Sequence, residues 1–331
     1  MNANQFLIAF LAGCASAAMT ASVAAFSAVA VVLFYLAPLP LLIIGFANGA
    51  LSAAVAGVAG SLVIGFVMGL KPGLFFLFST AIAPVVLSHF ALLRRPATQG
   101  PIAEGEVRAQ GHEWYPEGRL LLWCAGLAGV LVAASILAAG PDAETFRNLI
   151  RSTVNIMMEP QLQTMSAPER EQAGQVIDLM VVALPMISAA LWLVTLYVNM
   201  RLAGAIATAS GKGLRPWAGF GDMRFPRMAG MAFAATTALA MLPGTFGVLA
   251  SVFAAAFGTA LTLLGLSVIH GVMASHKAKA ALLFALYFAL SVLNWILVLP
   301  LAALGLVDLF TDIRARKGAQ AANSNNPPSK E

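Results

Sequence analysis

No lysine, arginine, aspartate or glutamate interrupts the long apolar runs of this 331-residue sequence away from their ends, and charged residues make up only 10% of the whole. Proton- and ion-driven carriers usually keep an ionisable group at mid-membrane, so a coupled pump or antiporter is disfavoured. Asp178 and Asp308 stand at span ends and do not supply such a group. Cysteine is nearly absent too. Cys14 and Cys124 lie far apart in apolar stretches, so neither a disulfide framework nor a CxxC metal or redox pair is indicated.

Enzyme signatures are missing or broken. Six residues separate Gly204 from Gly211 where a phosphate loop has four, and Gly213 stands where Ser or Thr would hold magnesium. His270 and His276 are six apart and fall on different faces of a helix, which excludes an HExxH zinc site. Ser267 with His89 or His270 is a conceivable intramembrane pair, but nothing fixes their contact or supplies oxyanion donors. No catalytic residue, metal or cofactor is expected.

What is present is apolar surface. Hydrophobic residues make up 60% of the chain and mean hydropathy is +0.85, which leaves too little polar surface for a folded monomer in water. Backbone polar groups in lipid are satisfied only within helices or closed barrels, and these long unalternating runs are not barrel strands. The expected fold class is therefore all-α, a polytopic integral membrane helical bundle.

The runs are 6–36, 39–70, 73–93, 119–139, 179–203, 228–269 and 281–307. As one helix, 39–70 would be about 48 Å long, and 228–269 carries Pro243-Gly244 near its middle. Splitting both gives about eight transmembrane helices, since a crossing takes roughly 20 residues. Leu11-Ala12-Gly13-Cys14 has the form of a lipoprotein processing site, but no cation precedes it and the run continues to Leu36, so it is read as a retained first span.

Net charge is +5, yet the cations sit in short loops and report orientation; no nucleic-acid partner is implied. Arg201, Lys212, Arg215, Arg224 and Arg227 in the basic loop 201–227, Arg94 and Arg95 in the loop 94–118, and Arg314, Arg316 and Lys317 mark cytoplasmic faces, so the C-terminus is expected to be cytoplasmic. The amino terminus is inside if 39–70 is a hairpin and outside if it is one tilted helix. The acidic segment 140–178 is expected to be extracytoplasmic, with an amphipathic surface helix carrying Phe146, Leu149, Ile150, Val154 and Met157, followed by a capping box at Ser166 and Glu169. Residues 1–316 form one transmembrane domain, and 317–331 reads as a disordered tail.

Two spans carry polar stripes: Ser188, Trp192, Thr195 and Asn199 on one, and Tyr287, Ser291 and Asn294 on the other. If the faces meet, they line a partly polar, ligand-binding cavity; the alternative is interhelical hydrogen bonding. Small residues recur every fourth position, with Ala17, Ala21 and Ala25 in the first span and Gly49 and Gly57 in the second run. Such rows serve packing within the chain or docking of a partner helix. Ser210 to Trp217 reads as a membrane-anchoring turn or as a contact for anionic headgroups or a cytosolic protein.

Asn199-x-x-Leu202-Ala203, Ser210-Gly211, Arg215-Pro216-Trp217, Phe225-Pro226, His270, Tyr287 and Gly305-x-x-Asp308 through Arg314 together resemble the YybS-like predicted membrane proteins of bacteria. That resemblance implies a fold without an established activity. The first half, with Pro40, its glycine-rich stretch and Ala17-x-x-x-Ala21-x-x-x-Ala25, is similar to the substrate-binding components of energy-coupling-factor transporters. It implies that the alanine face docks a coupling subunit. The expected function is a transporter-like, solute- or lipid-binding inner-membrane component without its own ATPase, with membrane lipids and coupling and ATPase subunits as partners. The alternative is a membrane scaffold or assembly factor acting through other membrane proteins.

Overall fold

The computed structural model describes residues 1–97, 107–109, 111–140, 142–293 and 295–314. Asn294, Arg316, Lys317 and the expected tail 317–331 lie outside the described residues. The fold is an all-α bundle: among the described residues, seven helical segments are long and apolar enough to cross a membrane, and three shorter apolar helices accompany them.

The first crossing is α1 (Ala3–Ala21), continued by a 3-10 turn to Ala25. Its start is fixed by Asn2 and Gln5, each side chain accepting from the other's backbone N–H at 2.9 and 3.0 Å. The expected single run 6–36 is broken at Phe26, whose φ is +49°, and Ser27 caps the next helix by accepting from Ala30 N–H at 3.1 Å. The second crossing joins α2 (Ala28–Leu36) to α3 (Pro38–Asn48). Pro38 therefore sits inside a crossing, at the first helical position, where its missing N–H costs least.

Gly49 and Gly69, at φ +98° and +105°, separate α3 from α4 (Ala50–Met68) and α4 from α5 (Leu70–Phe76). A side chain would be strained at either angle. A π-helical segment, Leu77–Ala81, leads into α6 (Ile82–Ala91) and completes the fourth crossing. Four crossings thus precede residue 94, and Met1 and Arg94 fall at the same end of the bundle; Met1 Sδ accepts from Ser52 Oγ there at 3.4 Å.

Residues of the loop 94–118 form a small antiparallel sheet of β1 (Arg94–Pro96), β2 (Val107–Ala109) and β3 (His112–Trp114), with β3 central. Then come α7 (Glu117–Ala139), α8 (Ala143–Thr164) and α9 (Ala167–Ala209). At 43 residues α9 is about 64 Å long, twice the roughly 30 Å hydrocarbon core, so one end projects. That end pairs with α8 as an antiparallel hairpin, closed by Arg151 and Asp178 at 2.5 Å, in place of a lone helix on the surface. Glu169 accepts from the Ser166 N–H at 2.7 Å at the start of α9.

After the segment 210–227 come α10 (Met228–Leu239), α11 (Gly244–Val272), α12 (Lys279–Leu293) and α13 (Trp295–Thr311). The Pro243-Gly244 break falls where the sequence places it. The main core joins α3, α6, α7, α9 and α11, and a second cluster holds α1 against α3 and α4.

Candidate functional site

Three local features open a space beneath the α8–α9 hairpin. The π-helical segment 77–81 carries Ser79 on its wall, and such segments recur at functional sites. Pro185 lies inside α9 and has no N–H to offer the Val181 carbonyl. The start of α8 is held down where Ala143 N–H donates to Thr245 Oγ1 of α11 at 3.1 Å, and Asp142 caps α8 by accepting from Thr145 N–H at 2.7 Å. That bond, with a second from the Thr145 hydroxyl, holds the Asp142 carboxyl below the usual range.

Two adjoining chambers result. One, of about 230 Å³, is bordered by Ser79, Ser135, Ser188 and Trp192. The other, of about 380 Å³, is bordered by Arg147, Val181, Met186, Leu242 and Ser251. Phe146 and Pro185 line both. Together they fall in the roughly 300–1,000 Å³ range usual for small-molecule sites. Ser79 and Ser135 spend their protons on the Phe75 and Leu131 carbonyls at 2.7 and 2.9 Å, and Ser251 on Val248 at 2.7 Å. Each hydroxyl oxygen keeps lone pairs, so these walls can receive hydrogen bonds from a guest's N–H or O–H groups. A larger groove of about 670 Å³ beside Phe6, Phe10, Leu62 and Phe66 is almost wholly apolar, as a lipid-facing helix surface is.

The expected stripes divide between different places. Ser188 and Trp192 line the first chamber, whose other walls come from α5, the π segment, α7 and α8, with none from α12. Trp192 also meets Phe34 edge-on at 6.1 Å. Thr195 and Asn199 are buried, and Asn199 Nδ2 donates to the carbonyls of Tyr35 and Thr195, both at 2.8 Å. Tyr287 is exposed on α12 and bonds His270 at 3.2 Å, while Ser291 donates to the Phe288 carbonyl at 2.7 Å. Among the described residues, the second stripe borders neither chamber, and Asn294 lies outside the described residues.

The small-residue rows are largely occupied by this chain. Ala17 is buried in the α1, α3 and α4 cluster, and a Cβ on Gly57 would come 2.8 Å from Ala81. Gly49 is the α3–α4 break. Ala21 is half-buried and Ala25 exposed.

At the opposite end lies an ionic cluster whose cations the sequence reads as orientation charge and, around Arg215, as an anchoring turn or a contact for headgroups or a cytosolic protein, and not as buried pairs. Glu117, at the start of α7, is buried and accepts from Arg201 and from the Ala218 N–H. Arg215 is fully buried; it donates to the Ala91 carbonyl at 2.8 Å and the Tyr115 carbonyl at 3.2 Å, and its guanidinium lies 4.5 Å from the Trp217 ring. Burial pushes its pKa down to about 10, which leaves it cationic at neutral pH. A Cβ on Gly204 would come 2.4 Å from Trp217, and one on Gly118 would come 1.8 Å from the Arg224 carbonyl, so glycine lets the loop lie directly on the helices. A second group joins Asp308 to Arg314 at 2.7 Å and Arg224 to Asp312 at 2.7 Å. The 201–227 loop is thus a strap folded into the bundle, more than an anchoring turn.

Residues 117–309 match the family described as predicted membrane protein (DUF2232). That span exceeds half of the chain and contains most of the cavity walls, the Glu117–Arg201–Arg215 cluster and, of the second ionic group, Arg224 and Asp308, and the chain belongs to this family. No curated protein and no solved structure matches it.

Proposed function

We propose that this membrane protein is a non-enzymatic, transporter-like binding component that takes a small uncharged or zwitterionic solute or lipid into the chambers beneath the α8–α9 hairpin. The observation that carries this reading is the pair of adjoining chambers sharing Phe146 and Pro185, with serine oxygens on otherwise apolar walls. In this reading the protein lies in a bacterial inner membrane, with 94–118, 201–227 and the C-terminus on the cytoplasmic side, as the distribution of cations favours. It has no ATPase of its own, and uptake draws on coupling and ATPase subunits, as the resemblance to energy-coupling-factor components implies.

Ser188→Phe and Ser135→Phe fill the first chamber without touching the ionic cluster. Native mass spectrometry of the full chain released from its own membrane tests the proposal. Wild type should retain a small molecule that both variants lose; equal retention by the folded variants contradicts the site. The scaffold reading rests on one observation, the exposed apolar residues Ile156, Met157 and Val176 on the projecting hairpin. Retention of a protein partner with no small molecule would favour it.

A further inference from the structure

A second pocket, unrelated to the chambers, lies at the foot of α6 and α7. It encloses about 210 Å³ and is bordered by Arg94, Arg95, Glu113, Trp114, Tyr115 and Arg119. Its single carboxylate is already engaged: Glu113 binds Arg95 at 2.7 Å and Arg108 at 2.5 Å. Arg94 and Arg119 have no acidic partner among the described residues. Their guanidinium carbons lie 5.4 Å from the Trp114 ring and 6.0 Å from the Tyr115 ring.

Two features make this arrangement costly without a guest. Arg119 stands in the first turn of α7, where the helix dipole disfavours a cation. Trp114 is 3% exposed, and its indole N–H is buried without an acceptor. Buried donors are rarely left so. An anion in the pocket would offset the cation of Arg119 at the helix start.

We infer that this pocket binds the phosphate of an anionic phospholipid of the surrounding leaflet. The pocket sits where two helices long and apolar enough to cross a membrane, Leu70–Ala91 and α7, end and begin, and headgroups meet such helices at their ends. The aromatic ring pattern beside it is that of a membrane boundary: Trp123 stacks on Phe90 at 4.2 Å and donates its N–H to the Tyr115 hydroxyl at 3.2 Å. Guanidinium groups match phosphate oxygens bidentately, and the ring faces hold them in place while the lipid chains run along the apolar helices.

Thermal unfolding and native mass spectrometry of the full chain with added phosphatidylglycerol, phosphatidylcholine, glycerol phosphate or inorganic phosphate test this. Wild type should retain and be stabilised by phosphatidylglycerol over phosphatidylcholine. Arg94→Gln with Arg119→Gln should weaken that preference roughly tenfold or more, since each surface cation contributes substantially to anionic-lipid binding. Both side chains are exposed, and Arg94→Lys with Arg119→Lys, which keeps the charge, should retain part of the preference. An unchanged preference in the glutamine pair overturns the inference. Equal stabilisation by glycerol phosphate or inorganic phosphate overturns the lipid assignment and leaves a soluble-phosphate site.

Discussion

The side-chain amide of Asn199 on α9 donates to the backbone carbonyl of Tyr35 on α2 at 2.8 Å, tying the two halves of the chain together. The bond falls where Pro38 and Pro40 remove amides from the α2–α3 crossing, and Ser16 braces the same bend by donating to the Ala37 carbonyl at 2.6 Å. Asn199→Leu is expected to lower stability by roughly 0.6 to 1.7 kcal/mol, the range for hydrogen bonds within membranes, and to leave ligand retention unchanged. A variant that melts normally yet loses its ligand would return Asn199 to the binding site.

Arg215 and Glu117 both hold the strap to the bundle, Arg215 through the Ala91 and Tyr115 carbonyls and Glu117 through Arg201 and the Ala218 N–H. Glu117→Ala leaves two cations without their carboxylate and should cost about 3 to 5 kcal/mol, whereas Arg215→Ala, after which Glu117 keeps Arg201, should cost about 1 to 3 kcal/mol. Arg215→Lys should rescue only part, because one ammonium can reach the Ala91 and Tyr115 carbonyls that Nη1 serves but has neither the Nε donor for the Pro216 carbonyl at 3.1 Å nor a planar face for Trp217. Unfolding followed by tryptophan fluorescence checks this; a midpoint unchanged in Arg215→Ala contradicts it.

Gly265 of α11 and Gly305 of α13 face each other's backbones: a Cβ on the first would come 1.9 Å from the Leu301 carbonyl and one on the second 2.1 Å from the Leu261 carbonyl. Either change to alanine should force the helices apart and cost about 1 to 3 kcal/mol. Gly126 of α7 meets nothing within 4 Å, so Gly126→Ala should be neutral or stabilise by about 0.5 to 1 kcal/mol. Comparing the three unfolding midpoints decides whether close approach, and not glycine content, holds this interface.

Asp142 links the cavity roof to pH. Its folded pKa is depressed by the Thr145 hydrogen bonds, so its contribution is complete above the ordinary value of 3.8 and is lost as pH falls through the lower folded value. Hydrogen exchange at the start of α8 should therefore accelerate on strong acidification. Asp142→Asn keeps an acceptor for the cap and should abolish that dependence; an identical acid response in the variant would place the titrating group elsewhere.

Composition and run length suffice to read the membrane bundle, because apolar length alone decides it. The breaks are harder. The turn after Ala25 contains neither glycine nor proline, and its signals are a left-handed Phe26 and the Ser27 cap. Gly49 and Gly69 belong to a row with a small residue at every fourth position from Gly45 to Gly69, a pattern that also describes packing, so periodicity hides the breaks they make. The stripe on α9 puts Ser188 and Trp192 on one face, and the residues that border the first chamber with them come from α5, the π segment, α7 and α8, which no one-dimensional pattern links to them. Arg215 and Glu117 were equally hidden, since a cation in a basic loop looks alike whether solvated or buried.

The most direct test of the binding proposal is an electron cryomicroscopy map of the full chain, purified from its native membrane into lipid nanodiscs. The account predicts ordered non-protein density in the chambers flanked by Phe146 and Pro185, in contact with Ser188 and absent from Ser188→Phe. Chambers closed by side chains, or filled with water alone in both proteins, would contradict it.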